Sequence, residues 1–448
     1  MSGAVTTTGR GSCHGPRVAV ERGGFQGQGR LAGVWRMVPG ELQRSFAAAL
    51  TLRGSQGEVS VPETVQLILQ QAAVQRASDI HLTPDEALFR MQWRIDGVLH
   101  MAAGFDREFG SRLVARLKVI SGLLTYRTDI PQEGRVAAEH SATEVRVSTF
   151  PTLYGEKAAV RLFGGASERQ RLAQLGLPPD SEQCLRQQLL ATSGVLLITG
   201  PSSSGKTTTA YALIREILQD SGGARCVMTI EDPIESAIAG AAQSQVRPAA
   251  GFDLATGLKS MMRQDPDVIL VGEIRDAATA ESTFQAALTG HLVIATFHAG
   301  SAAEALTRLL ELGLEPCLIR SALRLVVSQR LLRKCCDCQQ SSSGIVAAVS
   351  NLTDKPSAAA ALAAGCRSCG GTGYLGRLAL AECLDPDDPA VAAALLSRAD
   401  SQVLAAAAAR SGMVSLRVLA EQCVQAGVTS TAEVLRVFGG RTGVTSGR

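Results

Sequence analysis

Residues 199–208 carry side chains that bind and orient phosphate groups, in the order that a phosphate-binding loop requires. Gly205 has no Cβ, so backbone N–H groups can approach a phosphate closely, and Lys206 can reach the β- and γ-phosphates of a nucleotide. The hydroxyl of Thr207 can bind Mg²⁺. Because the loop follows an apolar run and precedes a helical pattern, the sequence predicts a nucleotide site. Its predicted contacts are Gly200, Pro201, Ser202, Ser203, Ser204, Gly205, Lys206, Thr207 and Thr208.

Carboxylates follow two of the apolar strands predicted downstream. Glu231 and Glu235 come after the strand 227–230, and Glu273 ends the strand that starts at residue 267. Open parallel sheets bind ligands at the carboxyl ends of their strands, so these carboxylates are expected beside the phosphate loop. They could hold Mg²⁺ or accept a proton from an attacking water. We predict that Thr207 and Glu273 bind Mg²⁺, in a Walker B layout, and that either Glu231 or Glu235 is the general base.

Two histidines, His291 and His298, bracket the next predicted strand, 292–296. A histidine in such a place is either a packed polar residue or a group that senses the γ-phosphate or a neighbouring subunit. Arginines on the strands of a preceding small domain also allow two interpretations, because Arg is seldom buried without an anionic partner. They could pair with Glu133, Glu144 and Glu156 on a solvated face, or reach a phosphate. These arginines are Arg90, Arg94, Arg135, Arg146 and Arg161.

The 11 cysteines include two C-x-x-C pairs. Cys335 and Cys338 form the first pair, and Cys366 and Cys369 form the second. Two such pairs can supply four thiolates for a tetrahedral structural Zn²⁺ site. Either Cys335 or Cys336 could be the first ligand, but only Cys335 keeps two residues between itself and Cys338, so Cys336 is the spare cysteine.

Composition excludes some classes of protein. The chain has 448 residues, is 46% apolar and only 4% aromatic, and has a net charge of +3. Such a chain is long enough for about three domains rich in helices and parallel strands. It contains no apolar run approaching the roughly 20 residues of a membrane span and no signal-peptide pattern. We therefore expect a soluble, cytosolic protein without a transmembrane span, and the charge gives no indication of nucleic-acid binding.

The order of these patterns predicts six regions. They are an N-terminal segment 1–58, poorly ordered apart from a possible helix at 41–52; a small α+β domain 59–163 with the arginines; a linker 164–180; a nucleotide-binding core 181–333; a tetracysteine zinc-binding subdomain 334–378; and a helical segment 379–448.

Together the motifs resemble the secretion ATPase superfamily, in the branch of the type II secretion and type IV pilus assembly ATPases. The resemblance runs from residue 77 to residue 377, about two thirds of the chain. Besides the phosphate loop and the cysteine pairs, it rests on Ala77-Ser78-Asp79-Ile80-His81, Arg94-Ile95-Asp96-Gly97, Thr229-Ile230-Glu231-Asp232-Pro233-Ile234-Glu235, Gly272-Glu273-Ile274-Arg275-Asp276, Thr289-Gly290-His291 and Thr372-Gly373-Tyr374-Leu375-Gly376-Arg377.

The resemblance implies an α/β fold with a RecA-like P-loop NTPase domain. It implies a homo-hexameric ring that hydrolyses ATP with Mg²⁺, in the cytoplasm and peripheral to the inner membrane, where platform and docking proteins bind it. It places residues 231–235 in the family's aspartate box and favours Glu235 as the base. The resemblance also implies that Glu273 is the Walker B glutamate and that His291 belongs to the histidine box. The arginines that it implies face the phosphates are Arg94, Arg135, Arg146 and Arg161.

The chain departs from the family pattern at three places. Gln92 stands where an arginine is expected, Ala299-Gly300-Ser301 replaces a Thr-Asn-Asp-like stretch, and only about 58 residues precede the small domain, which leaves the docking partner open. The expected function is ATP hydrolysis that drives pseudopilus assembly in type II secretion. Pilus assembly is the alternative. A DNA-uptake or translocation motor would need basic pore loops, which the sequence does not contain, and a regulator without turnover would have a degraded phosphate loop.

Overall fold

The structure of the protein, a computed structural model, describes residues 34–35, 60–137, 140, 144–163, 171–339 and 365–439. Its strands form two seven-stranded sheets. Residues before 171 form the first sheet, and residues after 171 form the second. The α/β class expected from the sequence is confirmed. Within the described ranges, no helix is both long and apolar enough to cross a membrane.

The first sheet is antiparallel and forms the small domain. Its strands alternate in burial, so one face carries large apolar side chains such as Leu82 and Trp93, both fully buried. Two helices cover that face, and the first begins with a capping box between Ser60 and Glu63. The elements are β1 (Val34–Trp35), α1 (Val61–Val74), β2 (Ala77–Pro84), β3 (Phe89–Ile95), β4 (Val98–Phe105), α2 (Arg107–Ile120), β5 (Gln132–Arg135), β6 (Val145–Thr152) and β7 (Gly155–Leu162), in sheet order β1-β4-β3-β2-β7-β6-β5.

The second sheet has parallel strands with helices on both faces, which is the RecA-like arrangement expected for the core. Every residue of its two central strands is buried, because helices cover both faces of the sheet. The elements are α3 (Pro179–Leu189), β8 (Gly194–Thr199), α4 (Lys206–Asp220), β9 (Val227–Glu231), β10 (Ala241–Gln245), α5 (Leu254–Met261), β11 (Val268–Ile274), α6 (Ala277–Leu288), β12 (Leu292–Phe297), α7 (Ala302–Glu311), α8 (Pro316–Ala322), β13 (Leu323–Cys335) and β14 (Tyr374–Leu384), in sheet order β10-β9-β11-β12-β8-β13-β14.

β13 is longer than its neighbours and leaves the sheet at one end. Residues 323–328 pair with β8, whereas residues 326–335 pair antiparallel with β14. The two strands therefore continue past the carboxyl edge of the sheet as a two-stranded ribbon, which carries the cysteines at its far end. This ribbon crosses the sequence-based boundaries at 333/334 and 378/379, so the tetracysteine region is an extension of the core sheet.

Four helices follow the ribbon: α9 (Pro389–Leu396), α10 (Ser401–Arg410), α11 (Leu416–Gln425) and α12 (Thr431–Phe438). The first pair packs into the core with α7 and α8. The second pair covers the ribbon, where Glu433 is fully buried and accepts hydrogen bonds from Arg333 and Arg436. A helical C-terminal region is therefore present, and its second pair of helices packs against the ribbon.

The predicted linker 164–180 also needs correction. Part of the predicted linker belongs to the core, because Leu172, Leu175 and Leu177 are buried against α3 and α4, and the N–H of Leu172 donates to Glu216 Oε1 at 3.1 Å. Of the predicted N-terminal segment, only residues 34–35 are described, and they pair with β4 as a short strand. The possible helix at 41–52 lies outside the described residues.

Candidate functional site

The predicted phosphate loop, residues 200–208, connects β8 to α4 at the carboxyl edge of the parallel sheet. Gly200 has a φ of +149° and Gly205 a φ of +93°, both of which favour glycine. A Cβ on Gly200 would lie 2.6 Å from the carbonyl oxygen of Gln329, so no other residue fits there. The loop conformation thus depends on these two glycines and on the close passage of β13.

Lys206 begins α4 and lies under the loop, 8% exposed. Its Nζ donates to the carbonyl oxygens of Gly200 at 2.9 Å and Pro201 at 3.0 Å. Burial lowers the pKa of Lys206, and the carboxylate of Glu273 opposes this shift. The ammonium group is therefore held at the loop, where it could meet a phosphate.

Polar groups at the base of the loop have hydrogen-bonding capacity that their surroundings do not use. Within the described residues, the hydroxyls of Thr199, Ser204 and Ser328 and the Oε1 of Gln329 are buried without a hydrogen-bond partner. Thr199 and Ser328 lie opposite each other on β8 and β13, directly before the loop. Since buried polar groups are nearly always hydrogen-bonded, this arrangement fits a site for a polar ligand.

Glu231, at the end of β9, has a fully engaged carboxylate. It accepts hydrogen bonds from the hydroxyl of Tyr211, from Thr229 Oγ1 at 2.6 Å and from Gln243 Nε2 at 3.2 Å, and it is 2% exposed. The Tyr211 hydroxyl also accepts the backbone N–H of Glu235 at 3.2 Å. Glu231 therefore fixes the 232–235 segment through Tyr211, and its oxygens are occupied by these three donors.

Glu235 is the carboxylate that meets the loop. Its Oε1 accepts from Thr207 Oγ1 at 3.4 Å, and the residue remains open to solvent in the cleft. Packing of protein around the carboxyl raises the pKa of Glu235, while Thr207, Arg161 and Arg146 oppose the shift. A carboxylate of raised pKa next to a phosphate loop can accept a proton from water.

Glu273 lies near the end of β11 at the same edge, and its Oε2 accepts from Arg275 Nε at 2.6 Å. Arg275 also reaches Asp232 Oδ2 at 3.3 Å. Three oxygen-bearing side chains thus come from one edge of the sheet: Thr207 follows the loop after β8, Glu235 follows β9, and Glu273 lies near the end of β11. Hydroxyl and carboxylate oxygens are the ligands that Mg²⁺ prefers, so the donor set fits this ion.

The structure separates the two predicted histidines. His298 follows the carboxyl end of β12, where Phe297 pairs with Thr199, and it lies at the loop edge. His291 precedes the strand, and its backbone oxygen accepts from Gly194 at the start of β8. A strand of six residues puts about 20 Å between the two edges. The interpretation of His291 as a sensor of the phosphate in its own chain is therefore wrong, and His291 Nδ1 instead lies 2.8 Å from the Ala286 oxygen.

Four predicted arginines form one row across the small-domain sheet. Direct cross-strand pairing places the residues side by side in the order Arg135, Arg146, Arg161, Asp79 and Arg94. Opposite residues in a sheet share a face, so these side chains stand together. We call the four arginines with Asp79 the arginine row.

Two carboxylates form ion pairs with the four guanidinium groups of the row. Asp79 lies 3.1 Å from Arg161 and 3.7 Å from Arg94, and Glu144 lies 3.1 Å from Arg146 and 3.5 Å from Arg135. The row therefore keeps a positive charge. Pairing with Glu144 is confirmed.

Pairing of the row with Glu156 is wrong, because Glu156 binds the buried Lys118 at 2.8 Å. Arg90 also lies outside the row and pairs with Asp85 at 3.0 Å.

Arg146 connects the row to the core domain. It is 13% exposed, lies over the ring of Phe163, and donates from Nη2 to the Ile234 oxygen at 3.1 Å. Because Glu235 is the next residue, the positive row and the predicted base lie in one cleft. Asp79 and Tyr211 were not identified from the sequence as site residues. The position of Tyr211 one helical turn after Thr207 could have indicated its place.

We expect Arg146→Ala to lower kcat/KM for ATP hydrolysis by about tenfold to a hundredfold, the effect of losing a hydrogen bond from a charged group. Arg90→Ala is the matched control, because Arg90 lies on the same sheet but pairs only locally with Asp85. Steady-state kinetics of both variants test this. If Arg146→Ala were as active as Arg90→Ala, Arg146 would have no role in hydrolysis.

The cysteines form one cluster at the end of the ribbon. The sulfurs of Cys336, Cys338, Cys366 and Cys369 all lie within 4.8 Å of one another, and two of the pairs are 3.7 and 4.0 Å apart. A tetrahedral Zn–S₄ site with bonds of about 2.3 Å needs sulfurs about 3.8 Å apart, so the donor set fits zinc. The backbone N–H of Cys369 lowers the pKa of the Cys366 thiol to about 6, whereas burial and hydrogen bonds with neighbouring thiols raise the pKa values of Cys336 and Cys338.

Cys335 is not part of this cluster, and its prediction as a ligand is wrong. It is the last residue of β13, where it pairs with Tyr374 and donates its N–H to the Val428 oxygen at 2.8 Å. The chain turns directly afterwards, so Cys336 and Cys338 project towards the second pair. The spacing rule failed because the strand continues through the first cysteine.

A glycine-containing loop at the carboxyl edge of a parallel sheet, with carboxylates near the ends of β9 and β11 at the same edge, is the arrangement of an α/β nucleotide-binding domain. The profile of the family described as "Type II/IV secretion system protein" matches residues 55–436. The chain belongs to this family of secretion ATPases.

Sequence relatives agree with this assignment. The chain is 37% identical over 389 residues to type II secretion system protein E of Klebsiella pneumoniae, which covers 86% of this chain and 77% of the relative. It is 38% identical over 385 residues to the type IV pilus assembly ATPase PilB of Thermus thermophilus, covering 84% of this chain but 43% of that protein.

Solved structures agree on the fold. The ATPase DotB of Legionella pneumophila aligns over 85% of this chain and 96% of its own, with a TM-score of 0.60 at 22% identity. The pilus retraction motor PilT with bound ADP aligns over 83% and 96%, with a TM-score of 0.54 at 23% identity.

Proposed function

We propose that this ATPase is the motor of a type II secretion system, where ATP hydrolysis drives pseudopilus assembly. It works in the cytoplasm as a homo-hexameric ring, bound at the inner membrane by platform and docking proteins, without direct contact with nucleic acid. The observation that carries the proposal is the convergence of Lys206, Glu235 and the arginine row on one cleft. Similarity to a type II secretion system protein E over 77% of its length supports this machine over others.

The residues of the cleft have distinct tasks. The loop 200–208 surrounds the phosphates with backbone N–H groups, and Lys206 neutralises charge on the β- and γ-phosphates. Mg²⁺, held by Thr207 and Glu273, would stabilise the charge that develops on the phosphate oxygens. Glu235 accepts the proton of the attacking water, and Glu231 keeps Glu235 in place through Tyr211. His298, at the loop edge, senses the γ-phosphate.

The arginine row completes the site from the small domain. Arg146 binds the backbone oxygen of Ile234, next to Glu235, and the charges of Arg146 and Arg161 both oppose the raised pKa of Glu235. The two arginines are therefore our candidates for contacts with the γ-phosphate. Fixed positive groups in a partly closed cleft stabilise the charge of the transition state. Arg94 and Arg135 lie at the two ends of the row, where a neighbouring nucleotide or subunit would meet them.

Pilus assembly is the second candidate, favoured by the 38% identity to PilB. The two can be separated by deleting the gene in the source organism and measuring secreted proteins and surface pili. Lost secretion with retained pili supports the proposal, provided that the wild-type gene restores secretion and a Lys206→Ala gene does not. Lost pili with retained secretion identifies the pilus motor, and loss of DNA uptake alone identifies a translocation motor.

We also propose that the cluster of Cys336, Cys338, Cys366 and Cys369 binds a structural Zn²⁺. With four thiolates the ion has no open position, so it has no catalytic role. Metal binding would instead stabilise the tip of the ribbon, and the binding free energy would contribute directly to folding of that region.

Cys336→Ser and Cys335→Ser form a matched pair of variants. We expect the first to lower the zinc content of the purified protein and the melting temperature of the ribbon, and the second to leave both near wild type. Metal analysis and thermal denaturation, each with and without chelator, measure this. Zinc lost from Cys335→Ser but kept by Cys336→Ser would restore the ligand set predicted from spacing.

A further inference from the structure

Two motifs that the proposed mechanism does not use contact each other. Asp96-Gly97 forms the turn between β3 and β4 in the small domain, with φ of +47° and +85°. Gly376-Arg377 lies near the start of β14, just after the second cysteine pair. The motifs are 280 residues apart in sequence and belong to different domains.

The contact is specific and polar. The N–H of Gly376 donates to Asp96 Oδ2 at 2.9 Å, and the guanidinium Nε of Arg377 lies 3.7 Å from Asp96 Oδ1. Both side chains are half-buried, with Asp96 16% and Arg377 34% exposed. One carboxylate thus binds a backbone group and a charge of the ribbon, which is a geometry that resists sliding of one domain over the other.

The turn is directly connected to the arginine row. Arg94 Nη1 donates to the oxygen of Gly97 at 3.0 Å, and its Nε lies 3.7 Å from Asp79. Asp79 binds Arg161, whose charge opposes the raised pKa of Glu235. A series of polar contacts therefore runs from the ribbon through the turn to the arginine row.

The ribbon also passes beside the phosphate loop. Gln329, where β13 leaves the sheet, has its carbonyl oxygen against Gly200, and Leu331 packs next to Gly205. The small domain contacts the core domain at Arg146 on β6, beside the cleft, and at Asp96 in the turn between β3 and β4. One contact would allow the row to pivot, whereas two separate contacts fix its orientation.

We infer that Asp96 with Gly376 and Arg377 forms an interdomain latch that sets the arginine row over the phosphate loop. Asp96 is then a positioning residue for ATP hydrolysis, an inference that rests on the proposed function. The metal-binding end of the ribbon supports the latch, since the second cysteine pair ends only a few residues before Gly376.

Kinetics of Asp96→Ala and Asp96→Asn test the latch. We expect Asp96→Ala to lower kcat by roughly tenfold, the effect of losing a charged hydrogen bond, with the Kd for ATP retained because Lys206 and the loop are untouched. Asp96→Asn keeps an oxygen that can accept the Gly376 N–H, so it should recover part of kcat. The control is Asp85→Ala, which removes a turn carboxylate in the same domain that accepts from the N–H groups of Ala87 and Leu88.

If Asp96 had only a structural role, Asp96→Ala and Asp85→Ala would have similar effects. Both would lower the melting temperature and the active fraction, and kcat per folded molecule would stay unchanged. That result, or wild-type kcat in Asp96→Ala, would overturn the latch. A double-mutant cycle with Arg377→Ala should give a smaller combined loss in kcat than the product of the single losses, and independent losses would contradict the contact.

Hydrogen exchange gives a readout that does not depend on activity. In the full-length protein, the amide of Gly376 should be protected, and Asp96→Ala should raise its exchange rate whereas Asp85→Ala should not. Unchanged exchange in Asp96→Ala would refute the latch even if the wild-type protein showed no ATPase activity. If the wild-type protein did not hydrolyse ATP but Asp96→Ala still raised the exchange rate of Gly376, the proposed function would be refuted and the interdomain contact would be supported.

Discussion

Glu235→Gln is expected to lower kcat for ATP hydrolysis by about 10²- to 10⁴-fold, the usual contribution of a general base, with the Kd for ATP nearly unchanged. The physical reason is that glutamine keeps the size and the contact with Thr207 Oγ1 but cannot accept a proton. Single-turnover hydrolysis and binding of a fluorescent nucleotide measure the two quantities separately.

Glu231→Gln is the matched comparison. Its carboxylate accepts three hydrogen bonds, so an amide there would place N–H donors against other donors and lower the melting temperature. A Glu235→Gln variant that turns over ATP normally, beside a stable but inactive Glu231→Gln variant, would reverse the two assignments.

The pH dependence offers an independent check on the base. Packing of protein around the carboxyl group raises the pKa of Glu235 above its ordinary value of 4.5, and only the deprotonated form can accept a proton. Activity should therefore fall as the pH drops through that raised pKa. The acidic limb of the kcat/KM profile should lie above pH 4.5 and disappear from the residual activity of Glu235→Gln.

Lys206→Ala is expected to abolish measurable turnover and to weaken nucleotide binding. It removes the only ammonium group that the loop holds, and losing one such stabilising charge costs on the order of 2.7 to 4 kcal/mol in the transition state. Lys206 also donates to Gly200 and Pro201, so the empty loop should become less ordered.

Lys259→Ala is the control for Lys206→Ala, since Lys259 is exposed on α5 of the same domain. Nucleotide affinity by calorimetry and ATPase rates under saturating ATP provide the measurement. Wild-type rates in Lys206→Ala would contradict the assignment of residues 200–208 as the nucleotide site.

The sequence by itself determined the features that depend on contiguous residues. The phosphate loop needs Gly205, Lys206 and Thr207 in immediate succession after a buried strand, so its place in the fold follows from local order. The apolar strands and the acidic residues at their ends are local for the same reason, since parallel strands share one carboxyl edge. Their bounds agree with the structure to within a few residues, as for β9 and β11.

Only the tertiary structure decided features that depend on register and on residues far apart. His291 and His298 are equivalent by sequence pattern, but strand direction puts them at opposite edges of the sheet. Cys335 fits the spacing rule better than Cys336, but β13 continues through it and directs its side chain away from the cluster.

The arginine row shows the same limit most clearly. Arg135, Arg146, Arg161 and Arg94 come from four strands, and their alignment with Asp79 follows from pairing registers that a single sequence does not reveal. The contact of Asp96 with Gly376 joins two domains across 280 residues. Motifs of contiguous residues can be identified from the sequence alone. The relative placement of strands and domains depends on the packing of the whole chain.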